Sequence, residues 1–217
     1  MSLNKTAPGN STDAFIVNGH PANILDYPFQ VSIIASSRNE PFCGGVILTN
    51  NIILTAQHCV STNRLDAVPA SIGVGKTFWP DMLNFTVPIQ YIVQYPRYKL
   101  SKIDQGKDIA ILLLQRTLTF NSTVQPIAMA TPADEAQGYT DAGVVADVSG
   151  WGATGTVKDP NYPKQLHAAE MKIVSREFTT NVYGTALTYD QLAAGDFPGQ
   201  GKSEFNSRVF CMKMRLN

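Results

Sequence analysis

Short runs rich in β-branched residues recur along this chain, and each is cut off by a cluster of Gly, Pro, Asn or Ser. The runs lie at 30–35, 43–49, 52–56, 85–93 and 108–114, with more at 143–149 and 166–174. Strands this short, at this spacing, predict an antiparallel barrel or sandwich rather than alternating βα units. The stretch 118–130 interrupts the pattern with Asn121-Ser122-Thr123 and Pro126, and reads as a crossover. Residues 175–183 read as a short helix with Ser175 as its N-cap. Residues 1–15 are polar and rich in turn formers, and read as a flexible leader or propeptide-like segment. No internal repeat or low-complexity tract is visible.

Bulk numbers narrow the function classes. A chain of 217 residues with 44% hydrophobic and 16% charged residues can build a packed core and is not globally disordered. Lys plus Arg and Asp plus Glu are both 17, so charge gives no reason to expect nucleic acid or an anionic membrane as a partner. No apolar run is long enough to span a bilayer. Residues 1–15 hold no apolar signal core. The start is therefore expected to be incomplete, or the chain not exported in this form. Asn4, Asn10, Asn84 and Asn121 each begin an Asn-x-Ser/Thr sequon, a modest pointer to a secreted glycoprotein.

The chemistry-bearing motifs are local. Ile16-Val17-Asn18-Gly19 starts the ordered-looking sequence. Phe42-Cys43-Gly44-Gly45 and Thr55-Ala56-Gln57-His58-Cys59 follow, then Asp108-Ile109-Ala110-Ile111-Leu112-Leu113-Leu114 and Ser149-Gly150-Trp151-Gly152. Taken alone, His58 reads as a buried histidine hydrogen-bonded for structure. Asp108 alone reads as a strand-start aspartate facing solvent. If instead Asp108 enters a buried strand, its carboxylate is costly unless hydrogen-bonded, and a histidine N–H is a suitable partner. Their occurrence together favours a catalytic reading of both.

In this order and approximate spacing the motifs resemble those of trypsin- and chymotrypsin-like serine proteases, from Ile16 to about Gly201. The resemblance implies an all-β fold of two antiparallel Greek-key β-barrels packed side by side. It divides the chain into an N-terminal barrel at 16–124 and a C-terminal barrel at 125–217 that is incomplete and ends in a divergent tail. It implies His58 as general base and Asp108 as the group that fixes its tautomer and orientation. It also implies a Cys43–Cys59 disulfide, which would close a loop of about 15 residues and contribute roughly 3 kcal/mol. Ile16 resembles the N-terminus that zymogen cleavage exposes, although Phe15 rather than Lys or Arg precedes it, and it reads equally as an apolar strand start. No cofactor is implied. Protein or peptide substrates, or protease inhibitors, are the implied partners, and the implied setting is extracellular.

The resemblance then breaks. No Gly-Asp-Ser-Gly-Gly segment, which would carry the nucleophile, occurs in the 217 residues. Aligned without gaps, Val209 falls where that serine belongs, Arg208 where the aspartate that receives the Ile16 amine belongs, and Ser203 at the base of the specificity pocket. No glycine follows Gly201 to shape an oxyanion turn, so Ser203 and Ser207 are poor substitutes. The tail reads as a foreign ending, from altered splicing, a frameshift or a gene-structure error. An open second-barrel edge would then need a covering partner. Thr179 and Ala193 stand where two family cysteines pair, and Ala146 at another frequent cysteine position. Cys211 is left over. His20 and His167 form no metal-spaced cluster, and Asp81 is the sole carboxylate in 72–87, so no metal site is expected. The sequence thus predicts a serine-endopeptidase homologue that is inactive as written, with a non-catalytic protease-like binding protein as the alternative.

Overall fold

Alternating apolar residues separated by tight turns give strands that bury one face, and here six of them curl until no edge is left. The computed structural model describes residues 19–37, 39–61, 68–96, 106–156, 159–183, 188 and 191–195, together with the backbone of 211–214. The leader expected at 1–15 and Ile16 lie outside the described residues, as do Ser203, Ser207, Arg208 and Val209.

In chain order the strands are β1 (His20–Pro21), β2 (Gln30–Ala35), β3 (Pro41–Ile47), β4 (Ile52–Thr55), β5 (Pro69–Val74), β6 (Val87–Gln94) and β7 (Ala110–Leu114). They continue with β8 (Val145–Gly150), β9 (Thr154–Thr156), β10 (Asp159–Asn161), β11 (His167–Val174), β12 (Ala193–Gly195) and β13 (Cys211–Met214). Among the described residues, helical structure is confined to 3-10 turns at Gln57–Cys59 and Trp79–Phe85, and to α1 (Pro132–Ala136) and α2 (Arg176–Tyr183).

Strands β2, β3, β4, β7, β6 and β5 close a barrel in that order, with every pairing antiparallel. Its core holds Val31, Ile33, Ile47, Ile53, Ile72 and Leu112, all fully buried. Burial of each such side chain is worth about 1.5–3 kcal/mol. The second half forms a five-stranded antiparallel sheet in the order β1-β11-β8-β13, with β12 on β11. Among the described residues this sheet stays open. The tail still contributes a strand: the backbone of β13 lies along β8, with Cys211 opposite Ser149, so β8 has a neighbour on both sides.

The halves share a seam. Strand β2 is buried along its whole length: Val31 and Ile33 enter the barrel core, while Gln30 and Ser32 alternate onto the other face. A second apolar cluster joins Phe29, Val46 and Met82 to Trp151, Leu166 and Ala168. The Trp151 indole N–H donates to the Thr77 carbonyl at 3.0 Å, and Leu166 N–H donates to the same oxygen at 2.8 Å.

Several boundaries differ from the sequence expectation. The strand read at 108–114 begins at Ala110, which leaves Asp108 in the approach and Ile109 exposed. The strand read from 85 begins at Val87, because Trp79–Phe85 winds into a 3-10 turn with Pro at its start. Strand β5 carries few β-branched residues and forms because β2 and β6 need a strand between them. Residues 118–130 do run as a connection, tied to the first barrel by Leu118 N–H to Asn50 O and Ile127 N–H to Ile47 O. Helix α2 starts as expected, with Phe178 N–H donating to Ser175 Oγ at 3.0 Å. Thr179 and Ala193 are both buried without a disulfide, and Thr179 Oγ1 donates to the Ser175 carbonyl at 3.0 Å.

Candidate active site

The register of two strands brings the site together. Thr55, last in β4, lies opposite Ala110, first in β7. The chain leaving β4 therefore runs beside the chain about to join β7. His58 lies three residues beyond Thr55, and Asp108 two residues before Ala110.

Each local step has a physical cause. Gly45 lets β3 approach β4 closely: a Cβ there would lie 2.8 Å from the Leu54 carbonyl oxygen and 3.1 Å from Ile53 Cγ2. Thr55 Oγ1 donates to the Gly44 carbonyl at 2.7 Å and anchors the end of β4. Ala56 is fully buried, and the chain then turns through Gln57–Cys59, closed by Val60 N–H to Gln57 O at 3.0 Å. The turn is tied to β3 by the Cys43–Cys59 disulfide, whose Cα atoms are 6.0 Å apart. It is tied to the end of β6 by Gln57, which hydrogen-bonds both backbone groups of Tyr95. Gln94 Nε2 adds a bond to Val60 O at 2.9 Å.

Asp108 arrives from the other side. Gly106 and Lys107 both adopt positive φ, 70° and 63°, which swings the chain sharply before the carboxylate. A lysine in that region is uncommon and carries a conformational cost. The Lys107 ammonium lies 5.9 Å from the centre of the ring of Tyr95, whose backbone Gln57 hydrogen-bonds.

Both carboxylate oxygens of Asp108 are used on His58. Oδ1 accepts the His58 backbone N–H at 2.8 Å, and Oδ2 accepts from Nδ1 at 2.6 Å. An ionised carboxylate can only accept, so Nδ1 carries a proton, and in the neutral imidazole Nε2 then presents a lone pair. The two side chains are 12% and 16% exposed, which shields the bond from water yet leaves the imidazole reachable. Such an imidazole can take a proton from a nucleophile placed at Nε2 and return it to a leaving group. Among the described residues no serine hydroxyl hydrogen-bonds Nε2; its neighbour is Cys59 Sγ at 3.6 Å.

Of the residues singled out in the sequence, His58 and Asp108 meet, and so do Cys43 and Cys59. Pro21 lies opposite His167 and His20 opposite Ala168, on the β1–β11 pairing of the second sheet. Sequence reasoning missed Gln57, Gln94, Tyr95 and Lys107 as supports. One signal was available: Gln57 is a polar residue flanked by Ala56 and the His-Cys pair, where only a satisfied amide could be buried.

Comparison with known proteins concerns the chain as a whole. The family model described as Trypsin matches residues 16–207. Hypodermin-B of Hypoderma lineatum is 36% identical over 188 residues, covering 81% of this chain and 64% of that protein. Trypsin of Phaedon cochleariae is 32% identical over 182 residues, covering 84% of this chain and 65% of that protein. The chain thus spans just under two thirds of the length of these curated relatives. Among solved structures, neuropsin, a serine protease expressed in the limbic system of mouse brain, superposes with a TM-score of 0.69 at 24% identity. That likeness covers 83% of this chain and 75% of the other, and it concerns the fold.

Proposed function

The chain belongs to the trypsin family of serine proteases, and from that premise we propose that it is a serine-endopeptidase homologue with His58 as general base and Asp108 as its orienting partner. The observation that carries this reading is the Asp108 carboxylate gripping His58 twice, at 2.8 Å and 2.6 Å. The family reaction is peptide-bond hydrolysis. A serine oxygen attacks the carbonyl, the imidazole takes its proton and passes it to the departing amine, and water then releases the acyl group. Proteins, peptides or protease inhibitors are the expected partners. An extracellular setting and a zymogen-type N-terminus at Ile16 belong to the same reading. No helix among the described residues is long and apolar enough to cross a membrane.

These 217 residues hold no Gly-Asp-Ser-Gly-Gly segment, so the proposal for the chain as written is that it does not form the acyl-enzyme. Loss of the nucleophile leaves at most the weak residual rate enhancement of the remaining site. That observation also favours a second reading, a non-catalytic binding protein that keeps the barrel and its His–Asp pair. Fluorophosphonate labelling of the purified chain, before and after treatment with an activating protease, tests the proposal, with His58→Ala as control. No labelling of a folded chain is expected. Labelling that disappears in the control would overturn it and direct attention to Ser203 and Ser207.

A further inference from the structure

We propose that Tyr95 is a positioning residue for the His58–Asp108 pair, holding the two segments that deliver it at a fixed separation. The residue immediately before His58 is Gln57, and the residue immediately before Asp108 is Lys107. Both close on Tyr95, one on its backbone and the other on its ring. The inference rests on reading the pair as a base and its orienting partner, but its test follows the hydrogen bond between them and needs no peptide cleavage.

The backbone of Tyr95 fixes the histidine side. Gln57 is 3% exposed and bonds the Tyr95 carbonyl at 3.2 Å and the Tyr95 N–H at 2.6 Å. Gln94, last in β6, reaches the Val60 carbonyl through Nε2 at 2.9 Å. Two successive residues at the end of β6 therefore bracket the turn on either side of His58. The turn cannot slide along β6 without breaking three part-buried hydrogen bonds.

The ring of Tyr95 fixes the aspartate side. Gly106 and Lys107 turn the chain at φ 70° and 63°. Glycine takes that conformation freely, and lysine does so only at a cost. Relaxation of Lys107 toward negative φ would swing Asp108, its covalent neighbour. The Lys107 ammonium lies 5.9 Å from the centre of the Tyr95 ring, within cation–π range, and this attraction opposes the swing. The pair has little slack to absorb one. The Asp108 carboxylate spans the backbone N–H and Nδ1 of a single residue, at 2.8 Å and 2.6 Å, so a swing cannot preserve both bonds. Lys107 is exposed and Tyr95 is 43% exposed, so the ring contact is worth a modest factor rather than orders of magnitude.

The test uses the full chain and follows the His58 Nδ1–H signal by proton NMR, assigned by its absence from His58→Ala. Its exchange with water is measured in each variant, with thermal unfolding alongside. Tyr95→Leu removes the ring, and Lys107→Met keeps the stem but removes the charge. Each should speed exchange about 2- to 5-fold, the worth of an exposed cation–π contact. The double variant should exchange no faster than the faster single, because both substitutions remove one contact. Tyr95→Phe keeps the ring and should match the parent. Tyr91→Leu removes another exposed aromatic from β6 and should also match it. Exchange at the parental rate in either Tyr95→Leu or Lys107→Met overturns the proposal, even where Tm falls, since a merely structural ring would lower Tm alone. So does Tyr91→Leu speeding exchange as much as Tyr95→Leu. A parent chain with no deshielded Nδ1–H signal overturns the reading of the pair itself, and the proposal with it.

Discussion

Gln57 clasps the backbone of Tyr95 from both sides: its Nε2 donates to the Tyr95 carbonyl at 3.2 Å, and Tyr95 N–H donates to its Oε1 at 2.6 Å. A side-chain amide has one donor and one acceptor end, and here they meet the two backbone groups of a single residue, as a neighbouring strand would. The clasp joins the turn that carries His58 to the end of β6. Replacing Gln57 with Leu keeps the volume but leaves both Tyr95 groups without this partner. The expected cost is about 1–3 kcal/mol. For a chain of this size that is a fall in Tm of several degrees, at roughly 2–4 °C per kcal/mol. Thermal unfolding measures it, and an unchanged Tm would mean that the clasp does not hold the turn.

Asp108→Asn should reverse the imidazole rather than merely weaken it. The Asn carbonyl can still accept the His58 backbone N–H at the place of Oδ1. Its amide N–H group then faces Nδ1, which must become an acceptor, and the ring proton moves to Nε2. Nitrogen-15 NMR of the imidazole reads the tautomer directly. A ring that kept its proton on Nδ1 in the variant would show that Asp108 does not set it.

The contact between His58 and Asp108 was legible because its information is local: Ala56-Gln57-His58-Cys59 and Asp108-Ile109-Ala110 are short motifs that can be recognised without a structure. The barrel strands with β-branched runs, β2 and β4 above all, were legible for a related reason, since their pattern is their packing. Strand β5 was not, because Pro69-Ala70-Ser71-Ile72-Gly73-Val74 has little intrinsic β-preference and is a strand only between two others. The supports of the site were equally hidden. No periodicity announces that Gln57 will meet Tyr95 from 38 residues away, or that Lys107 will adopt a positive φ. Those depend on register, which the closed barrel imposes as a whole.

Gly45→Ala should be costlier than Gly44→Ala. At Gly45 the new methyl would lie 2.8 Å from the Leu54 carbonyl oxygen, 3.1 Å from Ile53 Cγ2 and 3.2 Å from Val31 Cγ2. Those atoms belong to strands locked on either side, so the backbone must shift, at about 1–3 kcal/mol. At Gly44 the nearest atom is Gln30 Nε2 at 3.3 Å, a longer approach and to a side-chain end rather than to backbone. Denaturant unfolding of the two variants ranks them. Equal losses would mean that β3 and β4 can part without penalty.

The two halves of the chain are joined by a buried hydrogen bond spanning 119 residues: Ser149 Oγ donates to Gln30 Oε1 at 2.7 Å. Both residues are buried, 3% and 1% exposed, so neither group can turn to water when its partner is removed. Ser149→Ala takes the donor from Gln30 Oε1 while Gln30 Nε2 keeps its contacts to the Val31 and Gly45 carbonyls. The expected cost is about 1–3 kcal/mol, the penalty of a buried acceptor left unsatisfied. Gln30→Met removes the acceptor and strands the serine hydroxyl, with a similar loss. The double variant replaces both ends by apolar groups, and its loss should fall short of the sum of the two singles. A double-mutant cycle on denaturant unfolding should therefore give a coupling of about 0.5–3 kcal/mol. Strict additivity would remove this bond from the forces that hold the second sheet against the barrel and leave that task to the apolar seam around Trp151 and Met82.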